Sequence, residues 1–131
     1  MIQEGKAFSG FSVSDLQKAK EFYSKILGLN VENDEKMPDL LNLHINEKNT
    51  ILIYPKPNHE PATFTILNFP VKNIAETVNE LKSRGVKFIV YNEENFKTDE
   101  KGIMWGDGHG PNIAWFNDPA GNILSVIESD E

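Results

Sequence analysis

One pattern of residues occurs twice in this chain, and that repetition limits the fold more than any other feature. In the first half, residues 7–13 are aromatic and β-branched enough for a half-buried strand. Ser14 and Gln17 then have capping-box spacing, with Asp15 adding charge suited to a helix start. Leu16, Ala19, Phe22, Tyr23, Ile26 and Leu27 follow as an apolar stripe at helical period, Lys25 falls in the last turn, and Gly28 is the expected stop. The second half repeats the order with a strand over 63–71, Asn73 and Glu76 as cap, Ile74, Val78 and Leu81 as stripe, Lys82 and Arg84 in the last turn, and Gly85 as stop. Gly28 lies 15 positions after Val13, and Gly85 lies 14 after Val71. Strands are expected at 29–32, 40–45 and 50–54, then at 86–91, 112–116 and 122–128. The whole is an α+β chain of two β-α-β-β-β modules, best explained by duplication.

Between the modules, residues 55–61 contain three prolines and read as a linker rather than regular structure. The expected organisation is a single domain over 1–131, with module one at 6–55, linker 56–61 and module two 62–128. At 131 residues such a domain buries a core without staples, and the absence of cysteine excludes disulfides, thiolate zinc sites and a cysteine nucleophile. A polar N-terminus, no apolar run of membrane-spanning length and no cysteine give the expectation of a cytoplasmic protein. The formal charge of -7, from 20 acidic and 13 basic residues, argues against nucleic acid and membrane as partners. It favours a neutral or cationic ligand, and the acidic ending at 128–131 is most simply a solvated tail.

The stretch 92–111 is polar and glycine-rich but interrupted by Ile103, Met104 and Trp105. It reads either as a lid with a hydrophobic tip or as a covering loop that completes the core. Its Gly106–Gly110 run lacks the lysine and following helix of a phosphate loop, and reads as a flexible turn. Of the three histidines, His44 is expected at the surface or across strands, His59 solvated in the linker, and His109 beside Asp107 in the loop. A metal site built in that loop would need further convergent ligands. Ser125 has no His–Asp partner evident for a nucleophilic triad.

Taken together, Val13-Ser14-Asp15-Leu16, Phe22-Tyr23, Leu27-Gly28-Leu29 and the turn from Phe116 to Asn122 resemble the vicinal-oxygen-chelate superfamily. That group includes glyoxalase I, bleomycin-resistance proteins, fosfomycin-resistance enzymes and extradiol dioxygenases. The resemblance implies that the modules form a curved, cup-like mixed sheet with helices outside and ligand within, and that the protein is a homodimer. Strand parity would then turn Phe11 and Val13 toward a helix, and Phe8, Gly10 and Ser12 toward the cup. On the last strand Ile123, Ser125 and Ile127 would face inward, with Leu124 and Val126 against a helix.

Metal-dependent relatives carry His or Glu on the first strand of each module and a carboxylate on the last. By the resemblance these positions fall here on Phe8, Ile66 and Ser125, with the remaining one near 52–54. Phenylalanine and isoleucine donate no lone pair, and serine is a poor ligand for a divalent cation. No cofactor is therefore expected, a divalent metal is disfavoured, and catalytic residues are not assignable. The leading expectation is a metal-independent protein that binds a small aromatic or amphipathic molecule. Phe8, Tyr54, Ile66, Trp105 and Ser125 would line its pocket, with Asn68 orienting the ligand. Trp115 fits core and pocket equally well. Alternatives are a glyoxalase-like lyase, isomerase or dioxygenase with a displaced metal site, and a regulatory or interaction module whose cup is filled.

Overall fold

The computed structural model describes residues 1–130 and contains two compact units, one ending at Glu60 and one beginning at Pro61. The first unit holds β1 (Gly10–Val13), α1 (Leu16–Glu21), β2 (Asn30–Asn33), β3 (Leu41–His44) and β4 (Thr50–Pro55). Its sheet has the order β1-β4-β3-β2, with β1 and β4 parallel and the other pairs antiparallel. The second holds β5 (Thr65–Val71), α2 (Ile74–Ser83), the short hairpin β6 (Asn92–Glu93) and β7 (Phe96–Lys97), then β8 (Ile103–Met104), β9 (Ile113–Asn117) and β10 (Ile123–Glu128). Its main sheet runs β5-β10-β9-β8 with the same parallel and antiparallel pairings. The duplication in the sequence is a duplication of topology.

Both helices start where a side chain closes the first turn. Asn73 Oδ1 accepts from the Glu76 amide at 3.0 Å, as the spacing predicts. In the first unit the cap is Asp15, whose Oδ1 accepts from Lys18 N at 3.0 Å, so Ser14 is not the N-cap. Asp15 is the repeat's counterpart of Asn73, so the two helices are capped at equivalent positions. After Glu21 the first helix widens into a π turn over Phe22–Ile26, with Leu27 N bonded to Phe22 O. Gly28 (φ 73°) and Gly85 (φ 93°) then reverse the chain in the left-handed region, which glycine enters without steric cost.

Each helix packs on one face of its own sheet, and register shows which residues meet it. In the first unit Phe11, Ile53 and Leu41 form one row across three strands, and Val13, Leu41, Leu43 and Ile53 are buried. Phe11 also meets the ring of the fully buried Tyr23 at 5.8 Å. In the second unit the equivalent row is Phe69, Val126, Ala114 and Ile103, next to the buried Ile74, Val78 and Leu124. Each fully buried Leu, Ile or Val contributes roughly 1.5–3 kcal/mol of burial free energy, so these rows anchor their units.

Three expectations are corrected. Residues 86–91 do not form a strand; their only ladder contact is an isolated bridge between Phe88 and Phe116. The outer position of the second sheet is taken by β8, from within the stretch read as a loop. Ile103 there is buried and paired with Ala114, so the base of the apolar spike is core, while Trp105 at its end is 45% exposed. Finally, β1 begins at Gly10, leaving Phe8 before the strand and 72% exposed. Among the described residues no helix is long and apolar enough to cross a membrane.

Candidate functional site

The sheet faces turned away from the helices differ between the units, although their helix-facing rows match. In the first unit the central row is Gly10, Leu52, Asn42 and Glu32. In the second the equivalent row is Asn68, Ser125 and Trp115. Leu52 thus stands where Ser125 stands, and Gly10 where Asn68 stands.

Ser125 is fully buried, and its hydroxyl donates to Asn68 Oδ1 at 2.5 Å across the parallel β5–β10 pair. Beside it, Trp115 is 8% exposed and donates its indole N–H to Thr65 Oγ1 at 3.1 Å. That contact depends on an irregularity in β5. Ile123 pairs with Thr65, but Leu124 pairs with Leu67, so one extra residue sits in β5 at Ile66. The bulge brings Thr65 into register with Ile123, on the face that carries Ser125. Ile66, half-buried, lies at the irregularity itself.

Trp115 is also the centre of an aromatic cluster. Tyr91 meets it edge-on at 5.5 Å and Phe96 lies at 5.0 Å, with Tyr91 and Phe96 themselves 4.9 Å apart. The β6–β7 hairpin brings Phe96 to this cluster, and Tyr91 immediately precedes it. Such pairs add about 0.5–1.5 kcal/mol beyond their burial. Of the residues named from the sequence, the fold therefore brings Ile66, Asn68, Trp115 and Ser125 to one sheet. Thr65, Tyr91 and Phe96 join them without having been foreseen. The aromatic spacing of Tyr91 and Phe96 was the available signal, hidden in the polar stretch around it.

Trp105 is placed differently. It is 45% exposed, and its indole N–H donates to Asp99 Oδ2 at 2.9 Å. Burial works to raise the Asp99 carboxyl. Hydrogen bonds from the Ile103 amide, the Trp105 indole and the Lys101 amide outweigh it and hold the group below its ordinary value. Trp105 thus secures the turn before β8.

Phe8 and Tyr54 belong to the first unit. Tyr54 pairs with Ser12 on the face away from α1 and is partly exposed. There the Ser12 hydroxyl and His59 Nδ1 lie 2.6 Å apart. His59 is half-buried, so the solvated position expected of a linker residue is corrected: the imidazole ties the segment to β1. His44 bonds across its strand to Thr50 Oγ1 at 3.2 Å and approaches Glu32 at 3.5 Å, as a cross-strand residue should.

In neither unit do the positions named by the resemblance fit a divalent cation: Phe8 and Leu52 in the first and Ile66 in the second carry no donor, and the hydroxyl of Ser125 is committed to Asn68. Among the described residues no three His, Asp or Glu side chains cluster as metal ligands, and no buried side-chain nitrogen or oxygen lacks a partner.

Two successive β-α-β-β-β units, each with its helix on one face of its own sheet, define the class of fold. The sequence matches the Glyoxalase/Bleomycin resistance protein/Dioxygenase superfamily over residues 8–126, and the chain belongs to that family. A glyoxalase family protein from Enterococcus faecalis superposes with a TM-score of 0.69 at 21% identity, covering 98% of this chain and 100% of that one. TnmS3, an antibiotic binding protein from Streptomyces sp. CB03234, gives 0.64 at 20% identity, covering 96% and 98%. The fosfomycin resistance protein FosX from Listeria monocytogenes gives 0.66 at 15% identity, covering 95% and 93%. These likenesses share the fold. No curated protein matches the sequence significantly.

Proposed function

We propose that this chain is a metal-independent binding protein for a small aromatic or amphipathic molecule. The observation that carries the reading is the Ser125–Asn68 pair. At the position where the resemblance calls for a metal-binding carboxylate, a buried hydroxyl instead donates to an amide. A Lewis acid has no anionic anchor there, whereas a ligand finds polar groups next to an aromatic cluster, the usual composition of a small-molecule site. TnmS3, a structural relative, is an antibiotic binding protein, which supports a binding role on this fold.

We place the protein in the cytoplasm as a homodimer. The lack of cysteine suits a reducing compartment. β1, β2, β5 and β8 are each the outer strand of their sheet, and outer strands favour a partner that covers them. Equilibrium sedimentation at micromolar concentration tests the dimer, and a monomer alone would remove it.

The test of function combines metal analysis of freshly purified protein with ligand titration followed by tryptophan fluorescence. The expected result is no stoichiometric metal and saturable quenching by at least one member of a broad aromatic panel. Tightly held metal, lost on chelation together with ligand turnover, would overturn the proposal in favour of a glyoxalase-type enzyme. A flat response across the panel would favour a site filled by its own side chains.

A further inference from the structure

Extending the binding role just proposed, on which it rests, we infer that the face of the second sheet turned away from α2 takes an uncharged planar aromatic compound. A carbonyl-type oxygen of that compound would accept a hydrogen bond from the Asn68 amide.

Charge comes first. Register assigns to this face Thr65, Asn68 and Pro70 on β5, Ile123, Ser125 and Ile127 on β10, Ile113, Trp115 and Asn117 on β9, and Met104 on β8. Not one of them carries a formal charge, in a chain with 25% charged residues. The corresponding face of the first sheet does carry charge, at Glu32. A cationic ligand would find no counter-ion here, and an anionic one would meet both an uncharged surface and a net charge of -7.

Hydrogen-bond polarity comes second. Asn68 Oδ1 already accepts from Ser125, and Thr65 Oγ1 already accepts from Trp115. Each oxygen is thereby engaged, while the Asn68 amide N–H groups and the Thr65 O–H remain to be donated. Asn68 is exposed and Thr65 half-buried, so these donors are reachable. Their cross-strand partners, Ser125 and Ile123, are two residues apart, which spaces the donors by about 7 Å along the strand. A face that offers donors selects acceptors. A ligand without an acceptor oxygen leaves these groups desolvated and unpaired, the arrangement that discriminates most strongly between near-identical ligands. The third element is the aromatic wall of Tyr91, Phe96 and Trp115, tied to Thr65 by the indole hydrogen bond.

The experiment uses aromatic pairs in which a carbonyl replaces a ring CH2: 9-fluorenone against fluorene, and xanthone against xanthene. Binding is read from Trp115 emission in full-length Trp105→Phe protein, which has no other tryptophan. The ketone of each pair should bind at least tenfold tighter. Asn68→Asp keeps an oxygen for the Ser125 hydroxyl but removes both N–H donors, and should abolish the preference. Asn68→Leu should do the same without adding charge, and circular dichroism confirms that each variant is folded. Equal binding of each ketone and its CH2 counterpart would overturn the inference while leaving the binding role standing. A preference that survives both Asn68 variants would overturn it as well. If no member of either pair binds and the broad panel is also silent, the binding role fails together with the inference.

Discussion

The indole N–H of Trp115 donates to the hydroxyl of Thr65 at 3.1 Å, across 50 positions of sequence. Two facts of local geometry make the contact: the extra residue in β5 at Ile66, and the pairing of Trp115 with Ser125 between β9 and β10. The contact closes a line of polar and aromatic groups running from Asn68 through Ser125 and Trp115 to Phe96. The first unit has the same strands in the same order, yet Gly10, Leu52 and Asn42 occupy the equivalent places. Duplication kept the helix-facing rows alike because both must fill a core. It left the opposite faces to diverge, with Asn68, Ser125 and Trp115 in the second where the first has Gly10, Leu52 and Asn42.

Thr65→Val tests that line directly. It leaves the Trp115 N–H buried without an acceptor, which should cost about 1–3 kcal/mol in urea denaturation. Trp115→Phe alone should cost more, because volume is lost as well, and the double variant should cost less than the sum of the two. A coupling energy near zero in that cycle would show that the hydrogen bond contributes nothing.

The topology was legible because its signals are local. Caps, stripes and stop glycines depend on residues within one or two turns, and Asn73, Gly28 and Gly85 all act as their spacing says. The site was legible only in part. Strand parity placed Ser125 and Asn68 on a shared face, since alternation holds along an uninterrupted ladder. It could not supply Thr65, because a bulge changes parity without changing composition. Nor did it supply β8. Two paired residues among glycines and charges carry no periodicity, so Ile103 and Met104 looked like a spike in a loop. Phe8 lies before β1, whose pairing starts at Gly10, so strand parity does not extend to it.

Ser125 offers a separate check on the metal question. Ser125→Ala should cost about 1 kcal/mol or less, because Asn68 is exposed and can recover its hydrogen bond from water. Ser125→Glu would restore the carboxylate that the family resemblance calls for. Placed in a fully buried position with no cationic partner, it should destabilise by roughly 3–5 kcal/mol. Added divalent metal should recover none of that loss, because no residue on the sheet face that carries Ser125 is a His, Asp or Glu. Metal-dependent rescue of the melting temperature would show instead that a usable site is latent in the fold.

The two caps should behave alike. Asp15→Ala and Asn73→Ala each remove the acceptor for one backbone N–H in the first turn, at 3.0 Å in both cases. Each should lower stability by about 1 kcal/mol. Ser14→Ala, by contrast, should change little, because Asp15 and not Ser14 caps α1. Chemical denaturation of the three variants separates the two assignments, and a larger loss at Ser14 than at Asp15 would reverse them.

Glu128 connects β10 to the start of α2 and gives the fold a pH dependence of defined sign. Its Oε2 accepts from the Ile74 amide at 3.0 Å and its Oε1 from Asn112 Nδ2 at 2.8 Å. These bonds favour the ionised form, the Ile74 amide most and Asn112 next, and hold the group below its ordinary value of 4.5 against a smaller opposing effect of burial. A carboxyl whose folded pKa lies below its unfolded one stabilises the fold in full above the unfolded value. That contribution is lost as pH falls through the folded value, because protonation then costs the native state its acceptors. In Glu128→Gln one oxygen must serve both donors, and the new amide N–H₂ faces a donor. The gap in urea midpoint between the parent and Glu128→Gln should therefore be widest near neutral pH, narrow below about pH 4.5 and close with further acidification. Asp34 and Asp99 also titrate below their ordinary values, but they are present in both proteins and cancel in the difference. A gap that stays constant from pH 7 to well below that range would mean that the Glu128 charge does not hold the helix start.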